Sequence, residues 1–131
     1  MEQKLTQAEE QVYKRLKRKS LFSGIRIETK QSLKDICGTK FDTLITVGAY
    51  RKMLESVSVD FVIYKKDRLL LGVDFLDEPG ERALSVGERT LVGNTFRTMN
   101  SEYLAIEDSE DPDHAADIIW NHVSGMLKGM K

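Results

Sequence analysis

The chain has 131 residues, of which 40% are hydrophobic and 31% are charged, a length and balance typical of one globular domain. Twenty Lys and Arg residues against 21 Asp and Glu residues leave a formal net charge of −1, which excludes the strongly basic profile of a protein whose whole surface binds nucleic acid. The single cysteine, Cys37, excludes an internal disulfide and a cysteine-rich zinc site. We expect a single cytoplasmic domain over residues 1–131, without a signal peptide or a membrane-spanning helix.

The first part of the chain predicts one helix and one strand. Thr6-Gln7-Ala8-Glu9 has the spacing of a helix-capping box, and apolar residues then recur on one helical face, so a helix is predicted from there to about Ser20. Residues 25–29 alternate apolar and polar side chains, which predicts a half-buried strand. The pattern is weak from residue 31 to 56, where residues 32–36 suggest a helical turn and residues 43–47 a short strand or a helix.

The later part of the chain has a clearer pattern. The predicted elements are strands over 57–64 and 69–76 joined by a charged hairpin tip, a helix over 88–99, a strand over 103–106, and a last helix that begins at Asp111-Pro112. This order predicts an α/β or α+β domain with a central mixed β-sheet and helices on both of its faces.

Charge is distributed unevenly along the chain. Residues 1–35 contain nine basic and five acidic residues, whereas residues 101–131 contain two basic and seven acidic residues. Such a division arises either from complementary surfaces within one globule or from surfaces that bind partners.

Two aspartates are predicted to oppose each other on the hairpin. If the chain turns about Asp67, Asp60 faces Asp74 across the two strands, with side chains on the same face of the sheet. Like charges among apolar residues need compensation, which Mg²⁺ or Mn²⁺ would supply, as would a neighbouring Arg or Lys. The alternative is a one-residue shift in register that leaves each aspartate at a solvated strand end.

These residues resemble a nuclease family. A small bacterial branch of the restriction-endonuclease-like, or PD-(D/E)xK, superfamily has a helix that opens with Leu-Thr-x-Ala-Glu and a hairpin that runs from Asp-Phe-Val to Glu-Leu-Asp. This chain has Leu5-Thr6-Gln7-Ala8-Glu9, Asp60-Phe61-Val62 and Asp74-Phe75-Leu76 at the matching places. The resemblance implies a restriction-endonuclease-like fold, with Glu9, Asp60 and Asp74 as the catalytic acids that hold Mg²⁺ or Mn²⁺. The capping box is an alternative role for Glu9.

The chain departs from the family at the third site position. Active members have a Lys, or an acidic or amide residue, that positions the attacking water, whereas this chain has Leu76. Leucine neither donates nor accepts a hydrogen bond, so the predicted site lacks its water-activating group. Asp77 and Glu78 follow closely, but a bulge is needed to turn either one into the site.

The resemblance also indicates where DNA would bind. The candidate phosphate-binding residues are Lys14, Arg15, Lys17 and Arg18 on the first helix and Arg89 and Arg97 on the helix after the hairpin. An ordinary solvated helix face is the alternative for them. We therefore expect a degenerate nuclease-fold protein that binds DNA or a DNA-processing partner without efficient cleavage. The alternatives are an active metal-dependent endonuclease or exonuclease and a non-enzymatic protein-interaction module.

Overall fold

The computed structural model describes residues 7–21, 23–38, 41, 52, 54–75, 86–106 and 111–129. The helices include α1 (Gln7–Lys19), α2 (Leu33–Cys37), α3 (Val86–Thr98) and α4 (Pro112–Gly129), and the strands include β1 (Ile25–Ser32), β2 (Ser58–Lys65), β3 (Arg68–Phe75) and β4 (Glu102–Ile106). The predicted order of elements is confirmed, and the suggested helical turn over 32–36 is α2. Within these described ranges, no helix is long and apolar enough to cross a membrane.

The four strands form one mixed sheet in the order β1-β2-β3-β4. The β1–β2 and β2–β3 pairs are antiparallel, and β3 and β4 are parallel. A parallel pair requires a crossover connection, and α3 lies within that connection. The fold is therefore α+β with a central mixed sheet, as the sequence predicts.

A β-bulge in the hairpin fixes the register of its open end. Next to the turn, Lys65 pairs with Arg68, but the register shifts between Ile63 and Tyr64, and beyond that point Phe61 pairs with Val73. Continuing this register places residue 60 opposite residue 74, as the hairpin arithmetic predicts. The two-residue turn alone would pair residue 60 with residue 73, and the bulge shifts the pairing by one residue.

The sheet separates two hydrophobic cores. Phe61 and Ile63 of β2 pack in one core with residues of α1 and α4, while Val62 and Tyr64 pack in the other with residues of α2 and α3. This alternation follows from the opposite directions of successive side chains in a strand. The predicted placement of helices on both faces is confirmed.

Complementary charges join α1 to α4. Arg15 Nε lies 3.2 Å from Asp117 Oδ1, Arg15 Nη1 lies 3.8 Å from Asp113 Oδ1, and Lys19 Nζ lies 3.1 Å from Asp117 Oδ1. The basic and acidic ends of the chain therefore meet within one globule. At the start of α4, Asp111 Oδ1 accepts from the backbone N–H of His114, which is the predicted N-cap.

Some predictions fall outside the described residues. They are the capping residue Thr6, the element suggested over 43–47, the third site position Leu76, and the neighbouring Asp77 and Glu78.

Candidate functional site

A lysine links two of the predicted site acids. Glu9 lies in the first turn of α1 with 2% of its surface exposed, and Asp60 on β2 is 6% exposed. Lys30 Nζ, from β1, lies 2.5 Å from Glu9 Oε2 and 2.6 Å from Asp60 Oδ1. The helix and the hairpin are thus connected through an ammonium group on the edge strand.

Asp60 and Asp74 are connected through backbone amides. The N–H of Asp60 donates to Asp74 Oδ1 at 2.9 Å, and the N–H of Phe75 donates to Asp60 Oδ2 at 3.1 Å. Each carboxylate therefore accepts a hydrogen bond from the backbone of the other strand. These bonds place the two aspartates together across the antiparallel pair, at the end of the hairpin away from its turn.

Tyr103 on β4 completes this arrangement. Its hydroxyl donates to Asp74 Oδ2 at 2.5 Å, and its ring stacks on Phe96 of α3 with the ring centroids 5.6 Å apart. Phe96 lies directly over Gly72 of β3, where a Cβ atom would come within 2.7 Å of Phe96 Cε1. The absence of a side chain at Gly72 lets Phe96 approach the sheet, and Phe96 supports the tyrosine that binds Asp74.

We call Glu9, Lys30, Asp60, Asp74 and Tyr103 the buried network. Burial, followed by the charge of Asp60, raises the pKa of Asp74 to about 6. Burial also raises the pKa of Asp60, although the Lys30 ammonium opposes the rise. Burial alone would lower the pKa of Lys30, but hydrogen bonds to Asp60 and Glu9 outweigh it and raise the pKa. The two carboxylates therefore favour the charged form of Lys30, and Asp74 binds its proton more tightly than an exposed aspartate.

The backbone of Lys30 has an unusual conformation. Its φ is +50° within β1, between the pairs that Thr29 and Gln31 make with β2. L-residues rarely adopt this left-handed region, and strained residues concentrate at functional sites. Sequence reasoning missed Lys30, because the predicted strand ended at Thr29. It also treated Tyr103 only as part of a buried strand.

The donor set does not fit a metal shared by the three acids. Within the part of the chain that the structure describes, no group of three or more His, Cys, Asp or Glu side chains is arranged to hold a metal ion. The Lys30 ammonium lies between Glu9 and Asp60, and Asp74 accepts from a backbone N–H and from Tyr103. The Mg²⁺ or Mn²⁺ site therefore stays a prediction, and the contacts of the three carboxylates leave no room for such an ion.

A cleft of about 470 Å³ lies beside the buried network and is bordered by α3 and β4. Arg89, Gly93 and Arg97 follow one line along α3, because residues four apart lie on one helical face. Gly93 leaves the middle of this line without a side chain, and Tyr103 contributes to the opposite wall. The residues lining the cleft are Arg89, Thr90, Gly93, Arg97, Glu102 and Tyr103.

The predicted cations of α1 differ in their contacts. Arg15 pairs with Asp113 and Asp117 as described above, and its pKa is raised by the hydrogen bond to Asp117. Lys14 lies 3.7 Å from Glu10 on the same helix, Lys17 lies over the Tyr13 ring, and Arg18 is exposed. Arg15 thus forms ion pairs with α4. The buried network, by contrast, reaches the cleft of Arg89 and Arg97 through Tyr103.

Comparison of the chain with models of known protein families, with curated proteins and with solved structures finds no match. The class defined by the structure is an α+β protein with a four-stranded mixed sheet.

Proposed function

We propose that this chain is a restriction-endonuclease-like protein that binds the DNA backbone without cleaving it efficiently. The observation that carries the proposal is the α3 cleft, where Arg89 and Arg97 flank Gly93 and where the tyrosine that binds Asp74 contributes to the wall. Two guanidinium groups on one face of α3 suit a phosphate backbone, because Arg binds phosphate with paired N–H donors.

The spacing of the arginines supports this ligand. Arg89 and Arg97 are separated by eight residues, or about 12 Å along a helix axis. Each DNA strand carries one negative charge per roughly 3.4 Å of duplex, so the two residues span several phosphates. Gly93 is buried between them and lets α3 lie close to the Tyr103 ring.

Two features support binding without efficient cleavage. Leucine at position 76 cannot position or activate water. In addition, Lys30 occupies the carboxylate oxygens of Glu9 and Asp60. Phosphate contacts use other residues, so binding survives the loss of these catalytic groups.

DNA binding is tested by fluorescence anisotropy with a labelled duplex over a range of salt concentrations. We expect binding that weakens with salt, and a smaller salt dependence for the Arg89→Gln/Arg97→Gln variant. Loss of two phosphate contacts lowers the slope of log K against log salt by about 2. Arg68→Gln, at the exposed start of β3, is the matched control. Equal affinity and slope for the wild type and the double variant would refute this site.

Cleavage is tested by plasmid nicking with Mn²⁺. We expect no appreciable cleavage by the wild type, because general acid–base assistance typically contributes about 10²–10⁴-fold. Leu76→Lys supplies the group that the family has at this position, and Asp74→Ala controls for contaminating nuclease. Robust wild-type cleavage that disappears in Asp74→Ala would show that the protein is an enzyme.

The position of Lys30 favours one second candidate, a phosphodiesterase in which this lysine replaces the group missing at position 76. Its ammonium would orient water or stabilise phosphate charge but would not act as a base, because its pKa is raised. Cleavage that requires both Lys30 and Asp74 would support this candidate. Cleavage that survives Lys30→Met would leave the role with another residue.

A further inference from the structure

One edge of the sheet, at β1, carries charges of both signs. Within the part of the chain that the structure describes, β1 has a single neighbour in the sheet, β2. The other side of such a strand presents backbone N–H and C=O groups that can pair with a further strand. We propose that residues 25–29 of β1 pair antiparallel with the same residues of a second copy of this chain, about a twofold axis at Ile27. The four strands of each copy then form one continuous sheet, and this pairing does not depend on DNA binding.

The charged residues of β1 are self-complementary. Arg26 Nε lies 3.2 Å from Glu28 Oε1 on the same face of the strand, and the two side chains are 56% and 44% exposed. In an antiparallel pair of identical strands centred on Ile27, Arg26 of each copy stands opposite Glu28 of the other. Opposite charges directly across two strands stabilise the pair. The twofold axis produces this contact twice.

The same charges select the register of the pair. A symmetric antiparallel pair of identical strands places one residue opposite itself at the twofold axis. If that residue were Arg26 or Glu28, like charges would oppose each other, which destabilises a strand pair. With Ile27 at the axis, the like charges are separated and Ile25 stands opposite Thr29. One register therefore satisfies both faces of the segment.

The segment is held in place by its own chain. Ile27 is 5% exposed and packs in the core with residues of α1 and α4, and Ile25 packs against the same core. On the other face, the Arg26 guanidinium carbon lies 4.5 Å from the centroid of the Tyr64 ring on β2. Because the strand is already ordered, pairing costs less conformational entropy than ordering a mobile segment would.

The backbone of β1 limits how far the pairing extends. Lys30 has a φ of +50°, which departs from the extended conformation that a regular ladder requires. The ladder between copies therefore ends at Thr29. A segment of this length buries a limited area, so we expect a reversible dimer. Pairing about a twofold axis also closes on itself, which prevents growth of longer assemblies through this edge.

The test is sedimentation equilibrium over protein concentrations up to about 1 mM. The wild type should show a reversible monomer–dimer equilibrium. Arg26→Glu and Glu28→Arg should each weaken it at least about tenfold, because either change turns both attractive contacts into repulsive ones. The double variant Arg26→Glu/Glu28→Arg should recover most of the affinity, since opposite charges again face each other. Arg68→Glu, at the exposed start of β3, is the control and should dimerise as the wild type does.

Hydrogen exchange identifies the surface used. The amides of residues 25–29 should exchange more slowly where the dimer predominates than where the monomer does, in the wild type and in the double variant. Recovery in the double variant keeps the test valid if a single variant fails to fold. A wild type that stays monomeric at about 1 mM, a double variant that does not recover, or slowed exchange confined to other segments would overturn the proposal.

Discussion

Replacement of Asp74 by asparagine should stabilise the protein at neutral pH. Asparagine has nearly the same shape, and its amide oxygen can accept the N–H of Asp60 that now donates to Asp74 Oδ1. It carries no charge, so it mimics the protonated carboxyl group. The amide NH2 replaces Oδ2, so the Tyr103 hydroxyl, which donates to Oδ2 in the wild type, must accept from it in the variant. The substitution therefore removes the buried charge while keeping a hydrogen-bonding group at each position.

The size and sign of the effect follow from the pKa of Asp74, which burial and Asp60 raise from the ordinary value of 3.8 to about 6. A raised pKa means that the folded protein binds this proton more tightly than the unfolded chain. Its contribution to stability is fully present below about pH 4 and is lost as the pH rises through about 6. Two pKa units correspond to about 3 kcal/mol, so Asp74→Asn should gain up to about 3 kcal/mol over the wild type above pH 7.

Urea denaturation measured at intervals from pH 4 to pH 7.5 checks this expectation. The unfolding free energies of wild type and Asp74→Asn should converge near pH 4, and the variant should become progressively more stable as the pH rises. Asp67→Asn makes the same chemical change at the exposed hairpin tip and serves as the control. A difference between wild type and Asp74→Asn that is constant with pH, or that grows towards low pH, would refute the reasoning.

Three further predictions concern buried groups of the two cores and of the site. Gly72→Ala should lower the unfolding free energy by about 2 kcal/mol, because the new methyl group overpacks against Phe96. Adding Phe96→Leu should relieve most of that loss. An equal loss in the double variant would show that Phe96 is not the cause. Tyr103→Phe should lower the unfolding free energy at pH 7.5 by about 2 kcal/mol, because the buried Asp74 carboxylate loses a donor; an unchanged urea midpoint would count against it. Burial raises the pKa of Cys37 to about 11, so this thiol should react with an aromatic disulfide reagent at least about tenfold faster in unfolding urea than in the native protein; equal rates would show that it is accessible.

Periodicity predicted most of the fold because the signals are local. The strands of the hairpin are rich in β-branched and large apolar residues, and both were observed near their predicted bounds as Ser58–Lys65 and Arg68–Phe75. The last helix begins at Pro112, after a capping aspartate. Such signals depend on neighbours within a few residues, so the sequence contains them directly.

The site was predicted only in part because its contacts are not local. The opposition of Asp60 and Asp74 was predicted from the register of the hairpin, which can be estimated by counting residues. Lys30 lies one residue beyond the predicted strand and shares the spacing of the polar residues Arg26 and Glu28 in β1, so neither the bounds nor the alternation indicated a buried side chain. Its backbone is left-handed, which no residue pattern in this strand indicates. Tyr103 reaches Asp74 from β4, a parallel neighbour distant in sequence.

Because of the bulge, the pairing of Asp60 with Asp74 depends on the number of residues between them in the hairpin. Leu70 is the additional residue, since Leu69 pairs with Tyr64 and Leu71 pairs with Ile63. If the register of the turn continued without a bulge, Val73 would stand opposite Asp60, and Asp74 would point to the other face of the sheet, because side-chain direction alternates along a strand. During divergence, a single-residue insertion or deletion in this hairpin would therefore separate the two aspartates unless the bulge absorbs it. Substitutions at its exposed tip leave the count, and hence the site, intact.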